Sequence, residues 1–531
     1  MNTPEIDPVT ASVLGTTFPA IAEEMHRNLI HSAYSTIVRE SRDASTCLLT
    51  AHGELLAQGR STIPMLLNAF APIMVELERR GLLADAGPGD AFVTNDPYGG
   101  GQHLDDIALI VPVFAGEVLI GYAGAMAHHI DIGAAEPGLN PLATTLRHEG
   151  LRLPPMRIDL DRDFGPGGVL AAVLEANIRV PDQTLGDLRA QVAAVRTGAR
   201  RLRELADRYG VDVLAAAMRA RLDYGERMMR HAVAAVPDGE YTAIEQLDPL
   251  DGGAPLTIHV RVVVEGERIH VDLAGTDPQA ASPVNSPLGS TVSAVTTAVT
   301  LVIGGQEVPV NAGSRRVLTL DVPSGSLLNP VEPAPVSARM SACFKVFDAV
   351  MGALAQVLPE SVIAPSYSAV AAVALSMTGE DGRTRIYREA LGGGYGAGEG
   401  YAGADGCAIT LTNTANVPAE FAEQAFGHFR VEAHRLHGEP GAGAESGGRG
   451  VAKAYRILAD GVQFAAYSDH HHTGPAGLHG GGSGAPARFV VERDGREIEL
   501  PPLVVTRLSA GDLLRVHTAA GGGYGTPDEE H

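Results

Sequence analysis

The chain reads as an α+β protein: a large, multi-lobed mixed fold with helices and β-hairpins at its N-terminus, a mixed strand and helix middle, and a glycine-rich β lobe at its C-terminus. Three observations point there. Its 531 residues are 45% hydrophobic and 19% charged, a globular composition, and that length exceeds the roughly 250–300 residues at which a single core stops growing. Apolar residues recur at helical spacing in some stretches and as short apolar-turn-apolar pairs in others. Glycine-dense loops crowd the last third. Lobes are expected at residues 1–236, 237–370 and 371–531.

Asp7 and Pro8 form a helix-start signal, after which Val9, Val13, Leu14, Phe18, Ile21, Met25, Leu29 and Ile30 recur at spacings of three and four. Pro19 is expected to bend or split that helix, because proline lacks the backbone donor and crowds the preceding turn. Thr46–Thr50 and Leu55–Gln58 flank Ala51-His52-Gly53-Glu54, a hairpin pattern, and a second helix is expected from Pro64 to Arg80. Two long apolar runs, Ile107–Phe114 and Val118–His128, meet at Ala115-Gly116-Glu117 as a second hairpin.

Leu188, Val192, Val195, Ala199, Leu202 and Leu205 mark a further helix stopped at Gly210, and another runs to about Ala235. Beyond Pro237 the pattern turns to short alternating strands, with Val260–Val264 and Ile269–Leu273 either side of Glu265-Gly266-Glu267. Two helical stretches between Asn285 and Leu358 bracket a proline-rich β segment. The loops 392–403, 438–450 and 474–484 hold too much glycine for helix or strand interiors.

Forty Lys and Arg against 63 Asp and Glu leave a net charge of −23, which argues against phosphate backbones and anionic membranes as partners. Cys47, Cys343 and Cys407 stand far apart with no CxxC pair, so neither a disulfide framework nor a thiolate zinc site is expected. Met1–Thr10 shows no basic segment followed by an apolar stretch, and no apolar run approaches the roughly 20 residues that span a bilayer. A reducing cytoplasm is the expected location.

The chemistry concentrates in Asn95-Asp96-Pro97-Tyr98-Gly99-Gly100-Gly101-Gln102-His103-Leu104-Asp105-Asp106 and in His128-His129-Ile130-Asp131-Ile132-Gly133. Imidazoles and carboxylates together suit zinc, manganese or iron. A hairpin turning about Gly116 sets Asp106 opposite Met126, with His128 two residues further along the same face. Such diagonal neighbours lie roughly 7–8 Å apart, a gap one metal ion can fill. His103 precedes the first strand, and Gly99, Gly100 and Gly101 let it fold back beside Asp106. His129 and Asp131 remain alternatives, as ligands or as groups that orient them. The run Ser468-Asp469-His470-His471-His472 reads as an exposed loop.

These residues, with Arg39-Glu40-x-x-Asp43 upstream, resemble the hydantoinase B and oxoprolinase family, which takes in B subunits of N-methylhydantoinases, oxoprolinase domains, caprolactamase-type hydrolases and acetone and acetophenone carboxylase subunits. The similarity continues through Gly186-Asp187-Leu188-Arg189-Ala190-Gln191, Asn285-Ser286-Pro287, Asn311-x-Gly313, Pro330-x-x-Pro333-Ala334-Pro335-Val336-Ser337-Ala338-Arg339, Gly392-Gly393-Gly394-Tyr395-Gly396 and Gly521-Gly522-Gly523-Tyr524-Gly525. It implies one divalent metal ion held by Asp43, His103, Asp106 and His128; His129 and Asp131 are expected, from their place beside these, to orient ligands or move protons. It also implies a separate A subunit that holds ATP-Mg and phosphorylates the carbonyl oxygen, so that the pair opens hydantoin, lactam or 5-oxoproline rings as a hetero-oligomer.

No Walker A sequence occurs, and Gly392–Gly396 lacks the Lys and Ser or Thr of a phosphate cradle, in keeping with ATP bound elsewhere. Two departures bear on the substrate: Met65-Leu66-Leu67 stands where relatives usually carry His after the Pro64 position, and Pro440–Gly448 replaces the expected Ser-Gly-Gly-x-Gly-x-x-Arg-Gly-Gly loop. A ketone carboxylase using the same site and a metal-free scaffold are the competing readings.

Overall fold

A computed structural model of the chain describes residues 6–249, 253–368 and 371–527; the first five residues of the Met1–Thr10 segment lie outside it. Asp7 caps α1 (Pro8–Ser32), its carboxylate accepting from the amides of Val9 at 3.1 Å and Thr10 at 3.0 Å. The helix continues through Pro19 instead of splitting. Buried Leu14 and Phe18 before the proline, and Ile21, Met25 and Leu29 after it, pack as one stripe, and tertiary packing of that stripe outweighs the local penalty of about 3 kcal/mol.

A short α2 (Thr36–Arg39) leads into β1 (Ala44–Leu49) and β2 (Leu55–Gln58), the expected hairpin. The helix expected from Pro64 to Arg80 is two, α3 (Pro64–Leu67) and α4 (Phe70–Arg79), interrupted at Asn68 and Ala69. Then follow β3 (Asp90–Thr94), β4 (Asp106–Ala115), β5 (Val118–His128) and β6 (Met156–Asp159), and the first six strands form one sheet in the order β2-β1-β5-β4-β3-β6.

The β4–β5 register differs from expectation in a way that matters for the site. The turn occupies Gly116 and Glu117, so Ala115 pairs with Val118, and a bulge follows in which Val113 pairs with Gly121 while Phe114 pairs with Leu119. Turn and bulge each shift the pairing by one residue. The two shifts add, so Asp106 faces His128 directly rather than Met126, and the even total keeps both on one face of the sheet.

After α5 (Leu160–Asp163) and α6 (Val169–Asn177) comes α7 (Pro181–Tyr209), which lays Leu188, Val195 and Leu202 into the core it shares with α1 and the sheet. Gly210, at φ +84°, ends it, and α8 (Val211–Val233) begins at once. The middle segment supplies a four-stranded sheet of β7 (Gly239–Leu247), β8 (Leu256–Glu265), β9 (Arg268–Asp272) and β10 (Leu318–Asp321), in the order β10-β9-β8-β7. Its helices are α9 (Leu288–Val299), α10 (Ala312–Arg315) and α11 (Met340–Leu354), and α11 packs on β7 and β8.

The C-terminal part holds β11 (Ala371–Thr378), β12 (Thr384–Leu391), β13 (Phe429–His437), β14 (Gly450–Ile457), β15 (Val462–Tyr467), β16 (Arg488–Arg493), β17 (Arg496–Leu500), β18 (Leu503–Leu508) and β19 (Leu513–His517). They pair as β12-β11-β15-β18 and β13-β14-β19-β16-β17. Apart from Gly450, which opens β14, the glycine-dense loops are neither helix nor strand, as expected, yet they are not loose. Extended segments lie side by side and exchange backbone hydrogen bonds: the amide of Gly448 donates to Tyr395 O and that of Gly521 to Gly448 O, both at 2.8 Å, and that of Ala397 to Gly522 O at 3.0 Å. Backbones approach so closely that a Cβ on Gly521 would lie 1.9 Å from the Tyr395 carbonyl oxygen. One hydrophobic cluster includes residues from Cys47 to Ala519, so the core crosses the boundaries expected near 236 and 370.

Candidate metal centre

Three donor side chains meet at one end of the β4–β5 pair. The preceding loop is pinned by Asn95, whose amide donates to Leu104 O at 2.6 Å and Leu151 O at 2.9 Å while its oxygen accepts from the amide of Leu153. Gly100, at φ +89°, passes so near α4 that a Cβ would lie 2.6 Å from the Pro72 backbone, the tight approach read from the sequence. The chain then turns at His103, and the Asp106 amide donates to His103 O at 3.0 Å. His103 Nδ1 thereby comes within 3.7 Å of Asp106 Oδ2, and the His103 and His128 rings meet edge to face at 4.8 Å between centroids.

Donor atoms of His103, Asp106 and His128 all lie within 4.8 Å of one another, and all three side chains are buried. His128 Nδ1 is 3.0 Å from the His129 carbonyl oxygen. A carbonyl only accepts, so Nδ1 carries the proton and Nε2 keeps its lone pair. Burial holds the pKa of His103 and of His128 well below the usual histidine range, with Arg339 and Arg388 acting in the same direction; both imidazoles are neutral, the ligand form. Burial also pushes Asp106 up to about 7 and Asp43 up to about 6, against the pull of Arg339.

Arg339, just before α11, donates to Asp106 Oδ2 at 2.6 Å, and its Nε lies 3.3 Å from Gln102 Oε1 and 3.2 Å from Ser290 Oγ. Asp106 Oδ1 takes no hydrogen bond among the described residues although it is buried. A buried carboxylate oxygen left bare is costly, and a cation beside two neutral imidazoles would satisfy it. The residues therefore fit a divalent metal ion of the kind held by nitrogen and oxygen donors.

Two of the three, His103 and His128, open on a cavity of about 50 Å³ whose wall also includes Asp43 and Arg339, room for an ion and a few waters. Asp43 stands on this wall outside the tight trio, its carbonyl oxygen accepting from the His128 amide at 3.0 Å. Met65, Leu66, Ile63 and Met340 give the cavity an apolar side. Arg388 on β12 closes another, donating to Asp105 Oδ2 at 2.9 Å and to Gly138 O at 2.7 Å.

The side chains of His129 and Asp131, expected to orient ligands or move protons, point away from the cluster, although the His129 carbonyl oxygen meets His128 Nδ1. His129 turns to the opposite side, where its Nε2 meets Gln191 Oε1 of α7 at 2.9 Å, and Gln191 in turn donates to Ile107 O and Ala125 O. Asp131 accepts from the Gly133 amide and the Arg179 guanidinium, each at 3.1 Å, and its carbonyl oxygen takes the Thr184 hydroxyl. Both hold the segment after β5 against α7. Neighbours on extended backbone point to opposite faces, so one of His128 and His129 had to leave the cavity.

The histidine run is also not a plain exposed loop: His470 is buried with its Nε2 3.0 Å from Lys345 Nζ. Arg339, Arg388 and Tyr467 were missed as parts of the site. Arg339 alone had a signal, as the last residue of the proline-rich motif.

Fold and site together define a mixed α+β protein with a buried two-histidine, one-carboxylate cluster suited to a single divalent cation. The hydantoinase B/oxoprolinase family model matches residues 7–527, and the chain belongs to that family. It is 33% identical to the putative B subunit of a D-/L-hydantoinase from Pseudomonas sp. (strain NS671), over 99% of this chain and 91% of that one. The crystal structure of ATP-dependent caprolactamase from Pseudomonas jessenii superposes with a TM-score of 0.89 at 26% identity, covering 98% of this chain and 92% of the other. A nucleotide-free acetone carboxylase structure has the same fold, with a TM-score of 0.89 at 18% identity over 99% of this chain and 76% of that one. No described helix is long and apolar enough to cross a membrane.

Proposed function

We propose that the chain is the metal-carrying catalytic B subunit of an ATP-dependent cyclic amide hydrolase, with one divalent ion (zinc, manganese or iron) held by His103, Asp106 and His128 and with Asp43 as the fourth donor. The observation that carries the reading is the buried cluster of His103, Asp106 and His128, whose donor atoms lie within 4.8 Å of one another while Asp106 Oδ1 has no hydrogen-bond partner among the described residues. Such an ion acidifies water and polarises a carbonyl. Arg339 holds Asp106 through Oδ2 and leaves Oδ1 free. Met65, Leu66 and Met340 exclude water from one side and offer an apolar surface to a ring's carbon atoms.

ATP-Mg belongs to a partner, an A-type subunit, in a cytoplasmic hetero-oligomer. The support is that this chain has no phosphate-cradle motif, while one relative is named a B subunit and a structural relative is titled ATP-dependent. A ketone carboxylase is the second reading, favoured by the shared acetone carboxylase fold; the hydrolase is preferred because the relative at 33% identity is named a hydantoinase.

The test is coexpression with the neighbouring A-type subunit, followed by metal analysis and ATP-dependent turnover of hydantoins, lactams, 5-oxoproline and ketones. Ring opening coupled to ATP hydrolysis, with about one equivalent of transition metal per chain, is the expected result. Bicarbonate-dependent ATP turnover with a ketone would establish the carboxylase instead. Protein with almost no metal and unchanged by His103→Ala would make it a scaffold.

A further inference from the structure

A second cavity, of about 370 Å³, opens between the β1–β2 turn, α4, α9, α10 and β10, a volume in the range of small-molecule sites. Met74, Val75, Leu318 and Leu320 supply its apolar walls. Two polar groups there lack partners. The Thr296 hydroxyl is buried without a hydrogen bond, and Arg315, the last residue of α10, makes no hydrogen bond or ion pair among the described residues. Burial alone lowers the Arg315 pKa below the usual arginine range, with no carboxylate pulling against it.

The other charges of the cavity are accounted for. Arg316 is bound by Glu54 at 2.9 Å, Glu226 at 3.0 Å and Asp223 at 3.2 Å, which also neutralises Glu54. Glu78 is exposed at the edge. A guanidinium with no counter-charge on the wall of a cavity makes paired, charge-assisted hydrogen bonds once an anion with two oxygens meets it.

We infer that this cavity binds a small aliphatic monocarboxylate, its carboxylate on Arg315 and its carbon chain along Met74, Val75, Leu318 and Leu320. The site is separate from the metal cavity, with no lining residue in common. The two are nonetheless joined by α9, which carries Thr296 into this cavity and Ser290 to within 3.2 Å of Arg339, the residue that holds Asp106.

Isothermal titration of the purified full-length chain with octanoate tests this. Saturable binding at about one site per chain is expected, weakened about tenfold or more by Arg315→Ala, the effect of losing one charge-assisted contact. Val75→Glu provides a second variant that does not risk the fold, because Val75 is 66% exposed; it sets a like charge at the mouth and is expected to weaken binding by about as much. Acetate, which has the charge without the chain, is expected to bind about tenfold or more weakly. Octanoate binding unchanged in Val75→Glu, acetate as tight as octanoate, or no saturable heat with the native chain would each overturn the assignment.

Discussion

At the scale of single residues, His128 and His129 have separate duties. His128 faces the cavity and His129 binds Gln191 on α7. Replacing His103 or His128 by Ala is expected to abolish tight metal binding while leaving the chain folded, read by metal analysis and circular dichroism. His129→Ala is expected to retain the metal and to lose about 1–3 kcal/mol of stability, since Gln191 is left with an unmet buried acceptor, read by urea unfolding. Equal metal loss in His103→Ala and His129→Ala would contradict that division.

The donors were legible from sequence because they lie close together along the chain, in one loop and one hairpin whose turn is marked by Gly116. Arg339 and Arg388 were not, because they reach Asp106 and Asp105 across 233 and 283 positions, and no local spacing encodes a contact of that range. The direction of the His129 side chain was hidden for a different reason: adjacent residues on extended backbone alternate faces, and only the position of α7 decides which face is the cavity.

Among the elements, the β4–β5 hairpin shows how far pattern reading goes. Its strands and turn followed from the apolar runs, whereas the bulge beside Val113 left no compositional mark. Likewise α1 overrode Pro19 through packing that local propensity does not contain. The segment leading to Arg339 rests on Glu149, whose carboxylate accepts from the amides of Val336 at 2.7 Å and Ser337 at 2.8 Å.

Burial pushes Glu149 up to about 8 from an ordinary value of 4.5. The folded chain therefore binds this proton more tightly than the unfolded chain. That contribution to stability is fully present below the unfolded value and is lost as pH rises toward about 8. Glu149→Gln, which keeps a carbonyl oxygen for the two amides, is expected to flatten this part of the decline, measured as unfolding midpoints between about pH 5 and pH 8.5. An unchanged slope would show that Glu149 titrates normally.

In the glycine segments, Gly521→Ala is expected to cost about 3 kcal/mol, the upper end for overpacking, because its Cβ would press on the Tyr395 carbonyl. Denaturant titration reads it. Sequence composition marked these stretches as loops; their packing backbone to backbone depends on partners scattered from Pro365 to Gly522, which composition does not pair.

For the whole molecule, the cavity is a meeting point: Asp43 and His103 lead into strands of the first sheet and His128 ends one, Arg339 comes from the start of α11, and Arg388 and Tyr467 come from one C-terminal sheet. An ion bound only by the folded arrangement stabilises all of it together. Adding the cognate metal at about a hundred times its dissociation constant is expected to raise stability by about 2.7 kcal/mol, and a chelator to reverse it, observed as a shift of one cooperative melting transition. Separate melting of an N-terminal part, unaffected by metal, would argue that the centre is not shared in this way.

That shared wall also has a consequence for biosynthesis. A nascent chain has His103, Asp106 and His128 outside the ribosome long before Arg388 and Tyr467 are translated, so the three side chains exist early without the walls that surround them in the fold. On the function proposed above, cation capture in its final form waits until synthesis has passed Tyr467, which makes loading a late event in the life of each newly made copy.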